Sequence, residues 1–210
     1  MTESSTDHVD SLAAWKACCV ALVCLALAFG APLVATVSLK SIAADMGGAR
    51  SVPALGYSLA WLGSAVGGLL MGKLAERFGI HSVVLGGALS IFIGLYISTL
   101  GEPWQLWVGH GLFIGLLGMG GLNAPLYVYV SHWFQRRRGS ALALLSSGNY
   151  LAGAVWPVAF EQMNGAWGWR TTMLAYGAVE LVLILVLARF FLAPIPDVSK
   201  FTAFQILGAR

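Results

Sequence analysis

Charge is what this sequence has least of. Lysine and arginine number 12, and aspartate and glutamate 9, among 210 residues, about 10% in all. A soluble domain carries roughly 25% charged residues, so a chain this poor in charge cannot cover a water-facing surface. Cysteine is scarce as well. Cys18, Cys19 and Cys24 fall in one apolar stretch, with no metal-ligand spacing and no evident disulfide partner. They are read as small residues packing in a helix. No metal site, cofactor site or nucleic-acid signature is expected, and no glycine-rich nucleotide-binding loop is found.

What the chain has in abundance is apolar surface. It is 58% hydrophobic, with a mean hydropathy of +0.79. An all-α membrane protein follows. Six stretches approach the ~20 residues needed to cross a bilayer: 15–39, 53–71, 82–100, 104–130, 139–160 and 171–192. Residues 1–11 form a polar, acidic segment read as a disordered tail. Residues 12–192 form the six-helix domain, and 193–210 a tail or shortened linker that opens with Pro194 and Pro196. Pro32 predicts a kink in the first span, held by neighbouring helices.

Orientation is read from Arg136, Arg137 and Arg138. Three consecutive arginines cannot lie at depth in hydrocarbon, and Trp133 and Phe134 beside them suit the headgroup level. With six spans, nine Lys and Arg fall on the side of the termini and three (Lys40, Arg50, Arg170) on the other. By the positive-inside rule both termini are cytoplasmic, in a cell inner membrane or plasma membrane. Glycines four apart, Gly63 with Gly67 and Gly111 with Gly115, predict helices that approach closely.

The second connector reads Gly72-Lys73-Leu74-Ala75-Glu76-Arg77-Phe78-Gly79. Its two glycines predict permissive backbone at both ends of a tight turn. Here the chain resembles the major facilitator superfamily, whose signature between helices 2 and 3 matches at Gly72, Leu74, Ala75, Arg77 and Gly79. Glu76 stands for the usual aspartate, and Ile80 and His81 replace the usual basic pair. The run Trp133-Phe134-x-Arg136-Arg137-Arg138-Gly139, with Ser147-Gly148, Gly153 and Gly168-Trp169-Arg170, resembles the monocarboxylate-porter-like members. The chain departs from them in helix 1, and at His110, which stands where arginine is common.

The resemblance covers about residues 15–192. It implies an N-terminal six-helix half built of two inverted three-helix repeats, with substrate bound between two such halves. It also implies a gating loop at Gly72, Glu76, Arg77 and Gly79, and a partner: a second half supplied by a longer chain, a second copy or a separate polypeptide. The function expected is secondary transport of a small solute, an organic anion such as a monocarboxylate, with protons or by exchange. The alternatives are a non-transporting accessory subunit, an inactive fragment or a membrane-embedded enzyme. The last would want a cluster of His, Asp or Glu at one depth, which the chain lacks.

Candidate site residues follow from polarity within the spans. Asn149 lies about ten residues into helix 5, ~15 Å deep at 1.5 Å per residue, with Ser146, Gly153 and Trp156 on its face. Asn123 and Tyr127 share a face of helix 4, where Gly118–Pro125 predicts an interrupted helix whose freed carbonyls meet a ligand. These four, Asn123, Tyr127, Asn149 and Trp156, are expected to bind substrate or else to bond neighbouring helices. Glu180, about ten residues past Arg170, and His110 are the proton-coupling candidates. The competing reading pairs Glu180 with Tyr176 one turn earlier, and His110 with a backbone carbonyl.

Overall fold

The computed structural model describes residues 9–190, the side chain of Glu76 excepted. Of the expected tails, residues 1–8 of 1–11 and all of 193–210 lie outside the described residues. Among the described residues five helical stretches are long and apolar enough to cross a membrane: Leu12–Val37, Ser51–Ala75, Ile80–Ser98, Pro103–Trp133 and Arg138–Phe190. No strand occurs among the described residues.

The first span is a broken rod. Helix α1 (Leu12–Ala28) starts on Ser11, whose Oγ accepts from the Ala14 N–H at 3.3 Å. Helix α2 (Gly30–Val37) follows after Phe29, and α3 (Leu39–Asp45) after Ser38. The predicted kink thus falls at Phe29–Gly30, less than one turn before Pro32, because a proline ring crowds the carbonyl four residues back and offers it no donor.

Helix α4 (Ser51–Phe78) runs two turns past the expected end of the second span, and α5 (Ile80–Ser98) follows at once. The expected loop 72–81 is therefore almost wholly helical. Gly79 alone makes the turn, with φ +82°, a conformation that penalises a Cβ. Gly72 is an ordinary helical residue, so the reading of two permissive turn glycines is corrected to one.

The fourth span is continuous. Helix α6 (Pro103–Val108) passes through a π-helical segment (Gly109–Met119) into α7 (Gly120–Trp133). No break occurs at Gly118–Pro125, and Pro125 is carried inside α7. The irregularity is the wide helix itself, which lets α4 in: a Cβ on Gly63 would strike the Gly111 carbonyl.

Helix α8 (Arg138–Phe190) is 53 residues long, about 80 Å at 1.5 Å per residue, well over twice the hydrocarbon thickness. It is not one rod. Gly168, at φ 76° and ψ 163°, leaves helical geometry and divides it into a first arm, 138–167, and a second arm, 169–190. The expected connector 161–170 is helical up to that glycine. A glycine conformation, rather than a polar stretch, makes the turn.

Packing follows the small residues. The first arm lies on α1, where Cys18 Sγ is 3.4 Å from the Ala141 carbonyl. The second arm packs Gly177 against Phe92 and Leu95 of α5. The outer faces stay apolar, with Leu62, Leu69 and Val158 exposed, which water would penalise and lipid accepts.

Candidate functional site

The interruption of the first span is held from α8. Trp156 Nε1 donates to the Ala26 carbonyl at 2.7 Å, and the Tyr176 hydroxyl donates to the Leu27 carbonyl. Trp156 stacks on Phe160 with ring centroids 5.5 Å apart and meets Tyr176 edge-on at 4.8 Å. A Cβ on Gly30 would run into both Trp156 and Tyr176. Carbonyls beside a helix break are thus satisfied by two aromatic donors, and Trp156, expected to bind substrate, is engaged in holding α1.

Of the other three expected substrate residues, Tyr127 is the one that joins α7 to α8. Tyr127 Oη lies 2.8 Å from Ser146 Oγ, which itself donates to the Leu142 carbonyl at 2.8 Å. The tyrosine therefore donates to the serine, because the single serine hydrogen is already used. Asn149, one turn beyond Ser146, is half-buried with a buried Oδ1 that has no partner among the described residues. Asn123, one turn before Tyr127, is also half-buried. An unfilled amide oxygen beside a fixed hydroxyl pair can accept a hydrogen bond from a bound molecule.

Glu180 and His110 are both fully buried, but they lie on different elements, and no hydrogen bond joins them among the described residues. Glu180 lies near Cys24 of α1 and Tyr176 of its own arm, and neither carboxyl oxygen has a partner among the described residues. The expected Tyr176–Glu180 bond is not made; the tyrosine gives its hydrogen to Leu27. His110, in the π-helical segment, has Nδ1 3.0 Å from Ser98 Oγ and 3.1 Å from the Leu106 carbonyl. Ser98 donates to the Gly94 carbonyl at 2.8 Å, so Nδ1 carries the proton. Nε2 has no partner among the described residues.

Of the expected gating loop, Gly72, Glu76 and Arg77 ride on the last turns of α4, and Gly79 forms the turn. The Arg77 guanidinium lies 5.3 Å from the Phe78 ring centre. Arg136, Arg137 and Arg138 are exposed, and the first two act through backbone. Their N–H groups donate to the Asp10 carboxylate at 3.0 and 3.2 Å. Burial raises the Asp10 pKa, but N–H donors from Arg136, Arg137 and Gln135, with the Arg137 charge, bring it below the usual aspartate value.

Sequence reasoning missed Asp10, and it missed Asp45 at the opposite rim. Asp45 Oδ2 accepts from Trp169 Nε1 at 2.9 Å and from Arg170 Nη1 at 2.5 Å, while Arg170 Nε donates to the Thr99 carbonyl at 3.1 Å. The Trp169 hydrogen bond, then that from Arg170, holds the Asp45 carboxyl below its usual range. The Gly168-Trp169-Arg170 run was the available signal. Its partner, 125 residues away, had none.

Long apolar helices carrying inward polar side chains define a multi-pass membrane protein. The chain belongs to the Major Facilitator Superfamily, which matches it over residues 18–206. Among curated proteins it is similar to "MFS transporter asaE" of Aspergillus flavus, 27% identical over 143 residues, 67% of this chain and 32% of that protein. It is similar to "MFS-type transporter 1" of an Ophiocordyceps species, 27% identical over 165 residues, 73% of this chain and 36% of that one. It also resembles "Aspyridones efflux protein apdF" of Emericella nidulans, 30% identical over 111 residues, 50% of this chain and 23% of that protein. The chain thus spans about a third of the length of the first two relatives. These relatives carry the names of transporters and efflux proteins.

Proposed function

We propose that this chain is one six-helix half of a secondary transporter that moves a small organic solute by alternating access, coupled to protons through Glu180. The single observation behind the coupling is that buried carboxyl without a partner among the described residues. Ionisable groups inside a membrane are costly, and those serving packing alone are paired. Counting the two arms of α8 as the fifth and sixth spans, the first span packs on the fifth as the fourth packs on the second. The first also packs on the sixth as the fourth packs on the third. Exchanging spans 1–3 with 4–6 maps these pairs onto one another, which supports two inverted repeats.

Tyr127, Ser146, Asn149 and Asn123 form an uncharged hydrogen-bonding set suited to the polar end of an organic molecule. For an organic anion such as a monocarboxylate, the cationic partner comes from the second half, since no lysine or arginine lies mid-span here. That half covers the exposed side of the first arm around Tyr150, which is 80% exposed. The protein lies in a cell inner membrane or plasma membrane, with both termini cytoplasmic.

The test combines light scattering of the detergent-solubilised chain with uptake of a radiolabelled monocarboxylate panel in proteoliposomes, with and without a pH gradient. A dimer, or a complex with a co-expressed second half, should show saturable uptake. Glu180→Gln should lower gradient-driven uptake about 100-fold or more, of the order of one proton-transfer role, while leaving exchange intact. Gradient-driven uptake that survives Glu180→Gln overturns the coupling. Absence of saturable uptake or exchange of any panel member by an assembled complex overturns the monocarboxylate reading.

A further inference from the structure

We infer that the groove on the outer side of α4 and α5 holds one acyl chain of an anionic phospholipid, its headgroup against Arg77. The groove measures about 250 Å³. Met71, Leu74 and Phe78 form its α4 wall and Val83 and Gly86 part of its α5 wall, with Leu117 as floor. Three and four residues apart, the α4 members share one helix face, and their side chains are hydrocarbon or thioether.

Two serines line it: Ser82, exposed at the end nearer the Gly79 turn, and Ser90, whose hydroxyl is already spent. Ser90, at the deep end, donates to the Gly86 carbonyl at 2.8 Å, so its hydroxyl asks for no water there. The remaining wall favours hydrocarbon over water.

The length fits one leaflet. Lining residues 82–90 of α5 extend about 12 Å at 1.5 Å per residue, close to the ~15 Å that one leaflet contributes to the hydrocarbon core. The groove runs along the helices from the Gly79 turn inward, as a lipid tail runs.

Gly86 gives the trough its depth. Most glycines on the facing helices meet a neighbouring backbone or side chain, whereas a Cβ on Gly86 would touch nothing within 4 Å. Glycine costs helix stability relative to alanine, and no helix contact explains this one. A chain lying over it does.

Charge selects the headgroup. Arg77 is exposed at the mouth, its guanidinium 5.3 Å from the Phe78 ring that ends the α4 wall. Lys73, one turn away, and Arg136, Arg137 and Arg138 at the same rim make that end of the molecule positive. Basic residues at a membrane surface attract anionic lipid.

Native mass spectrometry of the detergent-solubilised chain, titrated with dioleoyl phosphatidylglycerol or dioleoyl phosphatidylcholine, tests this. Phosphatidylglycerol should be retained in preference. Arg77→Gln should lower its binding about fivefold, the factor one basic residue supplies at an anionic surface. Gly86→Leu should remove the tightest-bound lipid of either kind, with helicity by circular dichroism confirming the fold. If Gly86→Leu fails to fold, the Arg77→Gln arm decides alone. Equal retention of the two lipids overturns the inference, and so does phosphatidylglycerol binding unchanged by Arg77→Gln. Lipid counts untouched by Gly86→Leu, with a shift in oligomeric state instead, would assign the groove to another protein segment.

Discussion

Asp10 does at one rim what its local sequence gives no hint of. It stands in a short acidic stretch before the first span, and nothing in its neighbours distinguishes it from Glu3 or Asp7. Folded, its carboxylate caps the backbone N–H groups of Arg136 and Arg137, just ahead of α8, and its own N–H donates to the Trp133 carbonyl at 3.0 Å. Hydrogen bonds to a charged group contribute about 1.5–3 kcal/mol. Asn keeps one acceptor oxygen, so Asp10→Asn should cost about 1–2 kcal/mol, seen as a lower thermal midpoint in detergent. The sign with pH is fixed by the depressed folded-state value. The stabilisation is complete above the ordinary aspartate range and is lost as pH falls through the folded pKa below it. The gap between wild type and Asp10→Asn should therefore be full at pH 7 and close under acid; equal midpoints at pH 7 would refute the cap. The contact joins residues 126 apart, a distance at which pattern reading carries no information.

At the scale of elements, the glycines divide by what surrounds them. Gly63 touches backbone: its Cβ would meet the Gly111 carbonyl and the Leu116 N–H, so Gly63→Ala must push α4 off the π-helical segment, costing about 1–3 kcal/mol as overpacking does. Gly79 has space but a positive φ with extended ψ, and Gly79→Ala should cost about 1–3 kcal/mol for a conformation that glycine alone adopts readily. Gly72 has space and helical backbone, so Gly72→Ala should be neutral or stabilise by up to about 1 kcal/mol. Thermal midpoints of the three variants should rank Gly72→Ala above wild type or level with it, and both others below. A Gly72→Ala protein as unstable as Gly79→Ala would show that the turn needs both. The build of long apolar helices was legible because twenty apolar residues have few other uses, and the four-residue glycine spacing marked the close approaches. The helix ends were not legible. α4 and α8 carry polar residues well past their apolar segments, because a helix stops where its backbone is turned, at Gly79 and Gly168, and hydropathy does not record φ. The Tyr127–Ser146 meeting was half visible, as two polar faces without a reason to pair them.

Taken whole, the molecule fastens its first span at both ends and leaves it broken in the middle. Asp10, before α1, is tied to the start of α8, and Asp45, closing α3, is tied to Trp169, Arg170 and through Arg170 to Thr99. Between these anchors lies the interruption at Phe29–Gly30, and the Ala26 and Leu27 carbonyls just before it are held by Trp156 and Tyr176. A rod pinned at its ends bends most readily at its interruptions, so any change of shape in this span should be concentrated at Phe29–Gly30, beside Tyr176 and one turn from Glu180, and at Ser38. Releasing one anchor should move the freedom to that end instead. Asp45→Asn removes the charge that Arg170 meets, while Trp169 can still donate to the amide oxygen. Asp45→Ala removes both bonds. Hydrogen–deuterium exchange in detergent should therefore rise across α3 and the end of α2, least for Asp45→Asn and most for Asp45→Ala, with α1 unchanged behind its Asp10 anchor. The exchanged pair Asp45→Arg with Arg170→Asp should recover part of the protection, because the ion pair is exposed on both sides, at 45% and 42%, and tolerates reversal better than a buried one. Acid should reproduce the loss in the wild type, since the Asp45 carboxyl is held below its usual range and its contribution fades only as pH falls through that lowered value. Uniform protection across all these variants would mean that packing of Ile42 and Met46, both buried, anchors α3 without the aspartate. The rim network would then be a consequence of the fold rather than one of its fastenings.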